Sequence, residues 1–128
     1  MLTVATLAAA LLALAPPGAS PMPLPGSIDG ATAQQLQQRG VTVVDVRSAG
    51  EFESGHVPGA LNIPYDQVAA RSAELGAKGK PVLLYCRSGR RSGIAAAELN
   101  KQGFSAVYDF KSMGVWPGPV EQGPARAK

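Results

Sequence analysis

The chemistry in this chain of 128 residues gathers around its single cysteine. Cys86 closes the apolar run Pro81-Val82-Leu83-Leu84-Tyr85 and is followed by Arg87-Ser88-Gly89-Arg90-Arg91-Ser92-Gly93. A cysteine attacks as thiolate, and positive or hydrogen-bond-donating surroundings lower its free pKa of about 8.5. Successive backbone N–H groups of a short loop can converge on one point, and a helix opening near Ser92 adds roughly half a positive charge at its N-terminus. Three arginines add full charges. The pattern predicts a Cys86 thiol of depressed pKa beside an anion cradle built from Arg87, Ser88, Gly89, Arg90 and Arg91. A cysteine serving only as a small buried hydrophobe gains nothing from such neighbours.

Other titratable residues read as scaffold. His56 is the sole histidine, so it is the obvious general base, yet Gly55-His56-Val57-Pro58-Gly59 reads as a fixed turn, and a thiolate of low pKa needs no base. Asp45, Arg47 and Glu51 could form an acid–base group, but a buried or half-buried ion pair of Arg47 with a carboxylate is the cheaper arrangement, since an unpaired charge there is costly. One cysteine and one histidine supply no metal-ligand cluster. No cofactor groove is visible, and Tyr85 and Trp116 read as packing residues.

These residues need a frame. Residues 32–38 are helix formers ended by Gly40, and Val41-Thr42-Val43-Val44-Asp45-Val46 has the β-branched density of a buried strand. Ser48 and Glu51 have capping-box spacing for a short helix that Gly55 closes. Residues 60–63 predict a short strand, and residues 66–75 an amphipathic helix with Asp66 as N-cap and Gly76 after its end. Residues 81–85 show no alternation, as in a strand covered on both faces. Residues 94–102 are helical, 104–110 return to strand, and the segment from Gly114 onward reads as irregular. Alternating strands and helices predict an α/β domain with a mainly parallel central sheet, and ligands of such sheets gather at strand carboxyl ends, where Cys86 falls.

Composition narrows the class further. Twelve basic and nine acidic residues give a net charge of +3 and a pI near 9.3, but Arg87, Arg90 and Arg91 account for the excess. With 5% aromatic residues and no basic stripe, nucleic-acid binding is not expected. A single cysteine excludes a disulfide scaffold and, being Cys86, a lipobox. No charge precedes Asp29, and residues 4–15 form an apolar run shorter than the ~20 residues of a membrane-spanning helix. The expectation is a signal peptide over residues 1–20, a proline-rich linker over 21–27, one domain over 28–120 and a flexible tail over 121–128. Export to the periplasm or beyond follows, without stable membrane insertion after cleavage; an uncleaved tether is the alternative.

The loop Cys86-Arg87-Ser88-Gly89-Arg90-Arg91-Ser92 resembles the active-site loop of rhodanese-type sulfurtransferases, Cys-Arg-x-Gly-x-Arg-Ser. The stretch from Asp45-Val46-Arg47 through Glu51-Phe52 and Gly55-His56-Val57-Pro58-Gly59-Ala60 to Asn62-Ile63-Pro64 is similar to that family's other signature. The resemblance covers residues 29–110, and in size and layout the chain looks most like the exported, phage-shock-type single-domain members. It implies a rhodanese-like three-layer fold, Cys86 as nucleophile and persulfide carrier, and loop N–H groups from Arg87 to Arg91 holding the transferred sulfur. It also implies Arg87 and Arg91 on the sulfonate-like end of a donor such as thiosulfate, with the role of Arg90 open. The family treats His56 as scaffold and uses no cofactor. The acceptor is a thiophile: cyanide, a small thiol or a dithiol protein. Where many members carry Gly-Gly before a helical turn and a tryptophan, this chain has the compressed Phe110-Lys111-Ser112-Met113-Gly114-Val115-Trp116.

Two rivals share these residues. A cysteine phosphatase or arsenate reductase uses the same strand, loop and helix, but phosphatases place the essential arginine six positions after the cysteine, where this chain has Ser92. A non-catalytic sulfane-sulfur carrier would keep the cysteine loop intact.

Overall fold

The computed structural model describes residues 21–125; the expected signal peptide lies outside the described residues. Five strands, β1 (Gly26–Ser27), β2 (Thr42–Asp45), β3 (Leu61–Asn62), β4 (Val82–Cys86) and β5 (Val107–Ser112), form one sheet in the order β1-β5-β4-β2-β3. Every pairing is parallel. Four helices connect them: α1 (Gly30–Gln38), α2 (Ala49–Ser54), α3 (Val68–Arg71) and α4 (Arg90–Lys101).

β4 lies at the centre, flanked by β2 and β5, and all five of its residues are buried. Alternation along the strands sorts side chains to two faces. Val43, Leu83, Tyr85, Tyr108 and Phe110 pack with Ala33 and Leu36 of α1, Phe52 of α2 and Trp116 on one face. Val44, Val46, Val82, Leu84, Cys86 and Val107 pack with Val68 of α3 and Ala95 and Leu99 of α4 on the other. The result is the expected three-layer α/β architecture. It places Cys86 at the carboxyl end of the central strand, on the face α4 covers.

Local signals explain most boundaries. Asp29 caps α1 by accepting from the Thr32 N–H at 2.8 Å. At α2 the capping box closes both ways: Ser48 Oγ accepts from the Glu51 N–H at 3.3 Å, and Glu51 Oε1 accepts from the Ser48 N–H at 3.2 Å.

Several boundaries differ from the sequence reading. Residues 66–75 do not form one helix: α3 sits between 3-10 turns Tyr65–Gln67 and Ser72–Leu75, so Asp66 lies inside a turn instead of capping. At the break, Gln102 Nε2 beyond the α4 end donates to the Ala69 carbonyl at 3.1 Å, the acceptor that residue 73 of a continuing helix would use, while Ser72 Oγ donates to Gln102 Oε1 at 2.7 Å. α4 starts at Arg90, two residues before the expected opening near Ser92 and four before the helical run at 94, because Gly89 turns the chain with φ +104°. The linker is partly structural: β1 pairs with β5, and the Tyr108 hydroxyl donates to the Pro23 carbonyl at 2.7 Å. The start of the expected tail is likewise held. Glu121 and His56 exchange backbone hydrogen bonds of 2.9 Å, and the Gly123 N–H donates to the Glu53 carbonyl at 2.9 Å. Beyond β5, a 3-10 turn (Met113–Val115) leads to Trp116, which packs on Phe110 and donates its indole N–H to the Pro119 carbonyl at 2.9 Å.

Candidate active site

A helix leaves its first N–H groups without intrahelical acceptors, and a side-chain oxygen usually takes one. α4 has Gly89 at its N-cap and no side-chain cap. Cys86 Sγ stands in that place, accepting from the Gly89 N–H at 3.0 Å. Ser92, in the first turn, is fully buried with its Oγ 3.5 Å from Sγ and 3.3 Å from the Gly89 carbonyl. A hydroxyl both donates and accepts. It can therefore accept from the thiol while donating to the Gly89 carbonyl, or turn its proton toward a thiolate.

Burial alone would push the Cys86 thiol up; the Ser92 hydroxyl and the N–H groups of Ser92, Gly89 and Ser88 outweigh it and hold the thiol below its ordinary value. The main source of this lowering is the loop and helix N-terminus, more than the arginines emphasised by the sequence pattern. Gly89 suits its position twice over. Its φ of +104° disfavours any side chain, and a Cβ there would come within 3.1 Å of Lys111 Cβ. Cys86 has no exposed surface, so a donor atom must enter through the cradle to reach it.

The loop arginines do not act as one group. Arg91 turns away to Glu51, with Nη1 to Oε1 at 2.7 Å and Nη2 to Oε2 at 2.9 Å, although it still feels the charge of Cys86. The resemblance assigns Arg91 to the donor's anionic end; in the structure its guanidinium is held by Glu51. Arg87 and Arg90 are exposed, and their guanidinium groups have no hydrogen bond or ion pair among the described residues. Ser88 contributes its N–H.

The supporting residues form a second layer. Arg47 is buried on Asp45, with Nε at 2.9 and 3.1 Å from the two carboxylate oxygens and Nη2 at 2.7 Å; Nη2 also donates to the Gly55 carbonyl at 2.6 Å. Burial works against the Arg47 charge, and the Asp45 carboxylate more than offsets it. Asp45 and Arg47 pin the turn after β2, and the Tyr85 hydroxyl accepts from the Val57 N–H at 3.0 Å. His56 stacks on Phe52 with ring centroids 3.6 Å apart. Its Nδ1 lies 2.8 Å from the Phe52 carbonyl and its Nε2 3.4 Å from Glu121 Oε2, so both ring nitrogens are engaged in scaffold contacts.

Two residues near the cradle escaped the sequence reading. Ser92 marks the helix start and the sixth position after Cys86 in the sequence, but neither signal shows that its hydroxyl meets the sulfur. Ser112, across the sheet from Cys86, carried no local signal at all. No cluster of metal-ligating side chains occurs among the described residues.

This arrangement, a parallel sheet whose central strand delivers a cysteine into a loop of inward N–H groups, is the one shared by a known family. The model for the rhodanese-like domain matches residues 30–112, and the chain belongs to that family. It is 41% identical over 78 residues to the thiosulfate sulfurtransferase GlpE of Pseudomonas syringae pv. syringae (strain B728a), covering 59% of this chain and 71% of that protein. It is 38% identical over 82 residues to YrkF, a candidate sulfur carrier protein of Bacillus subtilis (strain 168), covering 63% of this chain. The chain spans 44% of the length of YrkF. Among solved structures it is similar to a rhodanese with anions from E. coli, with a TM-score of 0.61 and 32% identity, over 64% of this chain and 98% of that one.

Proposed function

We propose that the protein is a sulfurtransferase that moves a sulfane sulfur from an anionic donor such as thiosulfate to a thiophile through a persulfide on Cys86. The observation that carries this reading is the Cys86 Sγ held 3.0 Å from the Gly89 N–H at the start of α4. The thiolate attacks the outer sulfur of thiosulfate, the S–S bond breaks, and sulfite leaves with the bonding pair. The new terminal sulfur carries the negative charge and takes the cradle's N–H groups. Cyanide or a thiolate then attacks that sulfur, forming thiocyanate or a new persulfide and returning the Cys86 thiolate. Splitting the transfer in this way gives ping-pong kinetics. Arg87 and Arg90 draw the anionic donor to the mouth, while Arg91 acts through Glu51 as part of the wall. The likeness to the thiosulfate sulfurtransferase GlpE supports the choice of donor.

Mixing the protein with thiosulfate and cyanide tests the proposal. Thiocyanate should form with the wild type and be lost on Cys86→Ser; no thiocyanate, or equal yield from the variant, sinks it. Phosphatase chemistry is disfavoured because the residue six positions after Cys86 is the buried Ser92, with no guanidinium there to clasp a phosphate. A carrier that accepts sulfur but depends on a partner for release is the second reading, supported by the likeness to YrkF. It predicts a Cys86 persulfide after thiosulfate treatment with negligible turnover to cyanide. We propose export of the chain as well, tested by fractionating cells that express it.

A further inference from the structure

The end of β5 is irregular where it meets the cysteine loop. The β4–β5 ladder pairs Leu84 with Asp109 and then Tyr85 with Lys111, leaving Phe110 as an extra residue, and brings Ser112 into register with Cys86. Lys111 takes a left-handed φ of +69°, unusual for a residue with a side chain. Its N–H donates to Asp109 Oδ1 at 2.8 Å, which helps to hold the bulge. Bulges and such backbone outliers re-aim side chains and recur next to functional sites. Here the re-aimed side chain is Ser112. Its hydroxyl donates to the Arg87 carbonyl at 2.7 Å and accepts from the Gly114 N–H at 3.0 Å, so its one proton is committed to the loop.

A trans peptide points its C=O and its N–H in opposite directions, and no cis peptide occurs among the described residues. Drawing the Arg87 carbonyl toward β5 therefore turns the Ser88 N–H of the same peptide away from β5. The Gly89 N–H follows one residue later, at 3.0 Å from Sγ. We propose that Ser112 is a positioning residue of the cysteine cradle, its hydroxyl setting the plane of the Arg87–Ser88 peptide so that the Ser88 N–H faces the sulfur. The Lys111 stem, packed against Gly89, supports the same loop from the same strand end. Ser88 is among the groups that lower the Cys86 thiol, in keeping with this role. The inference rests on Cys86 as the reacting group, but not on which sulfur donor it uses.

Because Cys86 is the only cysteine, its alkylation by iodoacetamide reports the thiolate without any sulfur transfer. Alkylation rate against pH should have its midpoint moved upward by about half a unit or more in Ser112→Ala, roughly threefold less thiolate at a fixed pH below the midpoint. Ser112→Thr, which keeps the hydroxyl, should restore the wild-type midpoint. A folded Ser112→Ala protein with an unchanged midpoint, whatever its melting temperature, overturns the proposal, as does Ser112→Thr behaving like alanine. If Ser112→Ala does not fold, the wild type answers: by NMR the Ser88 amide proton should shift as Cys86 deprotonates, and an indifferent Ser88 amide overturns the assignment. Failure of the thiocyanate assay with a normal result here would sink the sulfurtransferase reading alone.

Discussion

The Arg91 guanidinium and the Glu51 carboxylate meet through two hydrogen bonds of 2.7 and 2.9 Å, joining the first turn of α4 to α2. The same Glu51 closes the capping box of its own helix. One carboxylate thus fixes where α2 begins and where the wall of the cysteine loop stands. The Arg91 bonds, opposed by burial and aided by Ser48, lower the Glu51 pKa from 4.5 to about 2.

A depressed carboxylate stabilises the folded state above its unfolded pKa and loses that contribution as pH falls through the folded one. The pair should therefore contribute fully above about pH 4.5 and fade by about pH 2. Thermal melts should show Glu51→Gln less stable than wild type by about 1 kcal/mol near neutrality, as expected for a partly exposed ion pair. The gap should close as the pH approaches 2. A gap independent of pH would mean that Glu51 acts through packing alone.

The arginines should separate by what they touch. Arg87→Ala and Arg90→Ala remove exposed charges with no partner among the described residues, so kcat/KM for thiosulfate should fall about 3- to 10-fold, with a weaker salt dependence. Melting temperatures should move by no more than about 2–4 °C, as for surface changes of at most about 0.5 kcal/mol away from structural features. Arg91→Ala should lower both activity and melting temperature, because it also unties Glu51. An Arg91→Ala protein of wild-type stability would return Arg91 to the donor-binding role expected from sequence.

Ser92→Ala removes the one side chain among the described residues that hydrogen-bonds the sulfur. A hydrogen bond to a charged acceptor contributes about 1.5–3 kcal/mol, and one pKa unit corresponds to about 1.4 kcal/mol. Since this bond favours the thiolate, its loss should raise the Cys86 pKa by about one unit. Absorbance of the thiolate near 240 nm, followed against pH, measures the shift. A shift downward, or none, would show that the backbone N–H groups suffice.

The Asp45–Arg47 pair is buried, with side-chain exposures of 0% and 8%. Removing one partner leaves an uncompensated charge, at a cost of about 3–5 kcal/mol. Arg47→Ala should therefore melt far below wild type, and Asp45→Asn combined with Arg47→Met should lose less than the two single losses added together. Additive losses in denaturant unfolding would rule out direct coupling between the two residues.

Much of this site was legible in one dimension because its chemistry is local. The unalternated run ending at Cys86 identified a strand covered on both faces, and Gly89 lies three residues from the sulfur it serves. The capping box of Ser48 and Glu51 is written in a spacing of three. The extent of α4 was read less well. The sequence places the helix opening near Ser92, yet Arg90 and Arg91 already belong to the first turn, because Gly89 turns the chain with φ +104° and gives its N–H to Cys86 Sγ. The helix expected over residues 66–75 is interrupted by a distant partner, since Gln102 takes the Ala69 carbonyl from across the fold.

From sequence alone came Cys86 as the candidate nucleophile, the loop around it, the α/β class and the order of strands and helices along the chain. These depend on residue types within a few positions, where periodicity, capping and turn chemistry act. Tertiary structure decided the rest: that Arg91 pairs with Glu51, and that Ser112 reaches the Arg87 carbonyl. It also decided that His56 is stacked and bonded into the scaffold. These partners lie 40 and 25 residues apart for the first two contacts, and no local pattern encodes them. They arise because parallel pairing brings the carboxyl ends of β2, β4 and β5 to one edge of the sheet, where the turns that follow must satisfy one another's polar groups.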